Sequence, residues 1–280
     1  MRLPEWIKTK APLSVHATKQ MLRENKLSTV CEEAGCPNMG VCFAKPTAAF
    51  MILGSKCTRN CGFCSVESSS PGPLDRSEPE RVAAAAREME LKYVVITSVT
   101  RDDLPDGGAS HFEKTVLAVK KLLPYAGVEV LTPDFRGDKE ALKKVIGSGP
   151  DVFNHNIETV PALYSSVRPQ ADYEQSLNVL RNARQMSSDV KIKSGFMVGL
   201  GETFEEVVLL MEDLRSAKCD YLTIGQYLRP TKRNLPVVEY VRPEIFDEYR
   251  DIAISKGFRG VASAPLVRSS MNAEEMFKER

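Results

Sequence analysis

Short runs of β-branched and aromatic residues alternate along most of the chain with stretches whose apolar positions recur every three or four residues. The runs predict strands at Ala48–Leu53, Tyr93–Ser98, Val128–Leu131, Asp151–Asn154, Lys191–Val198 and Tyr221–Ile224, with a seventh candidate at Arg259–Ala262. The stretches between them carry helix start signals. Ser77-x-x-Glu80, Ser110-x-x-Glu113 and Thr203-x-x-Glu206 each read as a capping box, and Pro243 suits the first turn of a last helix. Strand–helix alternation implies parallel pairing through right-handed crossovers. Six or seven units predict an α/β fold, a partial (βα)6-type TIM barrel over residues 46–256. Residues 1–45 read as an irregular extension with one helix at Ala17–Glu24, and 257–280 as a C-terminal extension. Ser68–Pro73 is a loop, too short to link domains.

Length and composition add bounds. A chain of 280 residues buries a sizeable core without disulfide staples. With 38 basic and 37 acidic residues the net charge is +1, which argues against nucleic acid as a partner and leaves room only for a local basic patch. No apolar run approaches the roughly 18–20 residues of a membrane span. The charged start, Met1–Lys10 with Pro4 and Trp6, has no signal-peptide core, so the expected location is the cytoplasm and no membrane is involved.

Six of the seven cysteines fall between positions 31 and 64. Clumped thiols in a reduced compartment point to metal rather than to disulfides. They form two trios, Cys31-x4-Cys36-x5-Cys42 and Cys57-x3-Cys61-x2-Cys64. The second follows the first strand, on the loop where parallel barrels place their chemistry, and Gly62 is expected to let that loop curl. Three thiolates hold three irons of a 4Fe–4S cubane and leave the fourth open, whereas four would close the site. Cys219 stands alone beside an apolar run and reads as a small buried hydrophobe.

Cys57-x3-Cys61-x-Phe63-Cys64 resembles the radical S-adenosylmethionine (SAM) signature, including the aromatic residue before the last cysteine. The upstream trio resembles the auxiliary-cluster motif of the lipoyl synthase family, and Arg268-Ser269-Ser270 its terminal motif. Thr97–Gly108, Asn154–Val160 and Lys193–Glu202 match that family as well, and the resemblance runs from about residue 27 to residue 272. One departure is Met271, where the family usually shows tyrosine. The resemblance implies two 4Fe–4S clusters and SAM as cofactors. It implies a radical enzyme that inserts two sulfurs, at carbon 6 and carbon 8 of an octanoyl chain amide-linked to a carrier lysine. Cys57, Cys61 and Cys64 would hold the SAM-binding cluster, and Cys31, Cys36, Cys42 and Ser270 the sulfur-donating one. Implied partners are an octanoylated lipoyl domain or glycine-cleavage carrier protein, a ferredoxin or flavodoxin, and an iron–sulfur carrier protein.

By the same resemblance Phe63, Thr97, Ser98, Asn154, Glu158, Arg168 and Lys193 contact SAM, with Arg168 and Lys193 pairing its carboxylate. Each also has an ordinary reading: Phe63 as core, Asn154 as a loop cap, Glu158 and Arg168 as solvated charges, Lys193 as a strand-end cation. The loop Arg101–Gly108 reads as a flexible active-site loop, and its three aspartates resemble a calcium loop only loosely. His16, His111 and His155 offer no triad. Competing classes are a zinc-stabilised nucleic-acid binder, an electron carrier and a biotin-synthase-like sulfur inserter. The last shares the Cys57 trio but does not predict Cys31, Cys36, Cys42 and Ser270 together.

Overall fold

The computed structural model describes residues 3–8, 16–43, 49–271 and 273–278; the expected strand start at Ala48 and the boundary at 45/46 lie outside them. Two compact units emerge, one of residues 10–59 and 65–153, the other of residues 1–9, 60–64 and 154–280.

The first unit holds, in chain order, α1 (His16–Glu24), β1 (Ser28–Thr29), α2 (Val30–Glu33), α3 (Met39–Phe43), β2 (Ala49–Ile52), β3 (Lys56–Cys57), β4 (Glu67–Ser68), α4 (Glu78–Glu88), β5 (Tyr93–Ser98), α5 (Ala109–Leu122), β6 (Gly127–Leu131), α6 (Lys139–Gly147) and the start of β7 (Val152–Asn154). β2, β5 and β6 pair in parallel, with Met51 level with Thr97 and Ile52 with Ser98. β1 adds antiparallel to β2. Phe50, Ile52, Val94, Ile96, Val128 and Val130 are fully buried, as are Val82, Phe112 and Val116 on the helices. Strands covered on both faces read as unbroken apolar runs, which is why these were legible. The cysteine-bearing extension is more regular than expected, with α2, α3 and β1 built into it.

Two of the three expected capping boxes are absent. Ser77 stands at the start of α4 but its Oγ donates to Asp75, and Pro79 sits in the first turn instead. Ser110 lies inside α5, which Gly108 precedes in a left-handed conformation (φ 91°). Asp106 takes over the cap, accepting from Gly108 N at 3.0 Å and Ser110 N at 2.9 Å. Burial opposes the Asp106 charge, but the hydroxyl and N–H of Ser110 and the N–H of Gly108 outweigh it and hold the carboxyl below its usual value of 3.8. Asp106→Ala is expected to cost about 1 kcal/mol. A depressed carboxyl stabilises above its unfolded value, so in urea titrations the wild-type advantage is present at neutral pH and disappears as pH falls below 3.8 through the lower folded value.

The second unit holds α7 (Tyr164–Val167), α8 (Tyr173–Met186), β8 (Lys191–Val198), α9 (Phe204–Ser216), β9 (Tyr221–Gln226), α10 (Pro243–Ser255), β10 (Gly260–Ser263) and α11 (Ala273–Lys278). β8, β9 and β10 pair in parallel around buried Ile192, Val198, Leu222, Ile224, Leu210 and Phe246. The third capping box is real: Thr203 Oγ1 accepts from Glu206 N at 3.2 Å and Thr203 N donates to Glu206 at 2.8 Å. β9 runs two residues past its expected end because the polar Gln226 is fully satisfied inside. Its Nε2 donates to Val198 O and Glu239 O, and its Oε1 accepts from Val241 N. Cys219 is fully buried, as its apolar setting predicts. The fold is α/β with mostly parallel strands, as the alternation predicts. No described helix is long and apolar enough to cross a membrane.

Candidate active site

None of the seven cysteines is in a disulfide. In the first unit Thr29 caps α2, its Oγ1 accepting from Glu32 N at 3.4 Å, and α2 carries Cys31. Gly35 (φ 56°) turns the chain back, so that Cys36 N donates to Cys31 O at 3.0 Å and Cys42 follows on α3. Burial first, and then the facing charges of Cys36 and Cys42, push the Cys31 thiol up to about 12. Three thiols that repel one another as thiolates fit a cationic iron core, because metal binding releases their protons and cancels the repulsion. Among the described residues no three His, Cys, Asp or Glu side chains close on a single ion. A cubane takes one thiolate per iron and lets its ligands stand wider apart than a zinc ion does.

Cys57 ends β3. Its Sγ accepts from Thr100 N at 3.3 Å and Arg59 N at 3.5 Å. Thr58 binds Thr100 O through both its N–H and its hydroxyl, each at 3.0 Å. Arg59 is the anchor of this loop. Its Nε and Nη2 grip Asp102 at 2.7 and 2.9 Å, and its Nη1 and Nη2 grip Asp134 at 2.8 and 2.7 Å. Burial opposes the guanidinium charge, but the two carboxylates outweigh it and hold the group protonated. The strand–loop junction is fixed as well: Leu53 (φ 70°) donates its N–H to Glu78 at 2.8 Å, and Glu78 meets His111 Nε2 at 2.7 Å. Arg101 reaches Leu53 O at 3.1 Å and pairs with Asp103 at 2.8 Å. The expected flexible loop at 101–108 is therefore pinned, and its aspartates are spent on Arg59, Arg101 and the cap of α5 rather than on a metal. At the end of β5, Thr97 is buried and Ser98 Oγ is buried with no hydrogen-bond partner among the described residues.

In the second unit Gly62 N donates to Val167 O at 2.9 Å, and Leu235 N to Gly62 O at 2.9 Å. A Cβ on Gly62 would stand 2.8 Å from Leu235 Cδ1, so close packing, not a left-handed curl, requires this glycine. Asn234 Nδ2 holds Cys64 O at 2.7 Å. Phe63 packs against Val167, Leu200 and Tyr227, its ordinary reading. Asn154 is fully buried. Glu158 (φ 71°) bonds to Gly195 O and Met197 N through its backbone. Burial raises the Glu158 carboxyl, with Arg168 and Asn156 pulling the other way. Arg168 Nη1 donates to Tyr164 Oη at 2.6 Å and Asn156 O at 3.2 Å, whereas its Nε, like Thr159 Oγ1, is buried without a partner among the described residues. Buried orphans cost about 1–3 kcal/mol each and fit a polar ligand that would bind them. Thr159 and Arg59 were not singled out from the sequence, because nothing local marks them.

Lys193 is buried and donates to Ser269 O at 2.7 Å, while Ser269 Oγ donates to Asn156 Oδ1 at 2.9 Å. This seats the Arg268–Met271 turn, closed by Met271 N to Arg268 O at 2.9 Å, and Ser270 beside it is half-buried. Gly195 leaves room for the seat. A Cβ there would strike Thr223 Oγ1 and stand 3.1 Å from both Asn156 Oδ1 and Ser269 Oγ. Gly195→Ala is expected to cost about 1–3 kcal/mol by overpacking. Faster hydrogen exchange over residues 264–271, with unchanged exchange in the first unit, is the outcome that checks it.

Residues 51–214 match the Radical SAM superfamily, and residues 1–36 match the N-terminal domain of lipoyl synthase of the radical SAM family. The chain is 56% identical over 275 residues to a lipoyl synthase of Caldanaerobacter subterraneus subsp. tengcongensis, covering 98% of this chain and 96% of that one. It is 53% identical to a lipoyl synthase of Rubrobacter xylanophilus, covering 99% and 87%. Among solved structures it resembles the FeFe-hydrogenase maturase HydG of Carboxydothermus hydrogenoformans, with TM-score 0.63 and 16% identity over 92% of this chain and 60% of that one. It also resembles methylornithine synthase, with TM-score 0.54 and 16% identity over 96% and 89%. These likenesses carry the fold, and the sequence relatives carry the family. The chain is an iron–sulfur, SAM-dependent radical sulfurtransferase, and it belongs to the lipoyl synthase family of the radical SAM superfamily.

Proposed function

We propose that the chain inserts sulfur at carbon 6 and carbon 8 of an octanoyl group amide-linked to a lysine of a lipoyl domain or glycine-cleavage carrier protein. The observation that supports this most is the presence of two separate thiol trios, one of which already brings Cys31, Cys36 and Cys42 within reach of one another's charge. The bound cofactors supply what side chains cannot, a carbon radical able to take hydrogen from a plain methylene, and sulfide to trap the result. Cys57, Cys61 and Cys64 would hold the SAM-binding cluster. By the family resemblance Thr97, Ser98, Asn154, Glu158 and Arg168 would contact SAM, and Phe63 braces the loop. Lys193 ties down the serine turn. Ser270, with Cys31, Cys36 and Cys42, would hold the donor cluster, its hydroxyl giving one iron a harder ligand than the three thiolates. A ferredoxin or flavodoxin delivers electrons, and an iron–sulfur carrier restores the donor cluster.

Anaerobically purified protein is expected to be brown, with broad absorption near ~400 nm and about eight irons per chain. Dithionite, SAM and an octanoyl-lysine peptide are expected to yield 5′-deoxyadenosine and a peptide carrying two sulfurs. 5′-Deoxyadenosine without peptide sulfur would assign a different radical enzyme. A colourless protein with stoichiometric zinc would overturn the whole reading.

A further inference from the structure

At the amino ends of β8, β9 and β10 a cavity of about 440 Å3 opens. This volume falls within the ~300–1,000 Å3 of small-molecule sites. Five cations line it, Arg184, Lys191, Arg215, Lys218 and Arg259, against one carboxylate, Asp220. In a chain with 38 basic and 37 acidic residues, this is a marked local segregation of charge.

Asp220 is already committed. Its Oδ2 accepts from Ile192 N at 2.9 Å and pairs with Arg184, its Oδ1 lies 3.6 Å from Arg259, and its backbone bonds Ile192 and Arg259. It staples three strand starts together. Arg215 is held without any carboxylate: Nε donates to Lys256 O at 3.2 Å, Nη1 donates to Cys219 O, and the group lies 5.2 Å from the Phe258 ring centre. Lys191 and Lys218 make no ion pair among the described residues. Neighbouring acids are occupied, Glu212 by Lys256 at 2.6 Å and Asp213 by the Tyr173 hydroxyl at 2.7 Å, while Asp189 is exposed and accepts from Ser188. Cations at the carboxyl ends of α8 and α9 complement the helix dipoles, which accounts for Arg184, Arg215 and Lys218. It does not account for Lys191 and Arg259 converging on the same space.

We propose that this cavity binds a pyrophosphate-type polyanion, free or as part of a nucleotide. A phosphate group carries about −1.5 to −2 charges, so two linked groups balance the excess where one leaves much of it. The arginines, already oriented, offer forks to phosphate oxygens, and the lysines add point charges. The site lies outside the sulfur-insertion reading, and its occupancy can be scored independently of turnover.

The test is calorimetric titration of anaerobic holoenzyme at constant ionic strength with inorganic pyrophosphate, with adenosine diphosphate and with orthophosphate. Saturable one-to-one binding of pyrophosphate, tighter than that of orthophosphate, is expected. Equal or weaker binding of the diphosphate nucleotide assigns the free polyanion, and tighter binding assigns the nucleotide. Lys191→Gln and Lys218→Asn are each expected to weaken binding about tenfold. Asparagine tolerates the left-handed backbone of Lys218 (φ 65°), so the ligand-free thermal midpoint is expected not to fall. Iron content and 5′-deoxyadenosine formation are expected to stay at wild-type levels in both variants. No saturable heat, equal affinity in the double variant, or the same thermal stabilisation by chloride at matched ionic strength would overturn the proposal.

Discussion

Cys31→Ala protein is expected to keep about four of the eight irons, still to make 5′-deoxyadenosine, and to put no sulfur into an octanoyl-lysine peptide. Cys31 is the buried member of its set, its thiol pushed up to about 12 by burial and then by Cys36 and Cys42, so it depends on metal to ionise. On the proposed ligand set, its loss would leave two thiols and the Ser270 hydroxyl, too few to retain a cubane. Cys57, with its own backbone N–H donors at 3.3 and 3.5 Å, is untouched by the change. Cys61→Ala is expected to give the reverse: the donor cluster stays, and 5′-deoxyadenosine falls to background. Iron analysis, product chromatography and peptide mass spectrometry read the two variants side by side. Normal sulfur insertion by Cys31→Ala protein would end the assignment of this trio as the sulfur donor's ligands.

The second large effect is expected at Arg59. Arg59→Leu removes a cation that pairs with both Asp102 and Asp134, and Asp134 is almost fully buried. Breaking a buried pair from one side leaves uncompensated charge and costs about 3–5 kcal/mol. The loss is read as a drop in the denaturation midpoint of protein without clusters, which isolates the clamp from iron. Arg59→Lys keeps the charge but cannot make four directed contacts to two carboxylates. It is expected to fold while holding Cys57 less firmly, so that its reduced-cluster spectrum broadens and SAM affinity falls. An unchanged midpoint in Arg59→Leu would show that the clamp contributes nothing to stability. Glu78 and His111 support the same loop from its entry, where Leu53 sits in a left-handed conformation that a β-branched residue at position 53 would not tolerate.

Strand and helix periods, the cysteine spacings and the Thr203 cap are short-range properties, and the sequence by itself determined them: β5 and β8 fall on their expected residues, and the two trios are visible without any fold. Ser77 and Ser110 had the right spacing and the wrong partners, because Asp75 and Asp106, just upstream, compete for the same donors. What only the tertiary structure decided is long-range. Arg59 finds Asp102 and Asp134 across 43 and 75 residues, and Lys193 finds Ser269 across 76. Five cations spread from 184 to 259 share one cavity in a chain of nearly balanced charge. The physical reason is that helix and strand periodicity is set by neighbours a few residues away, whereas the partner of a buried charge depends on which strand ends the crossovers bring side by side.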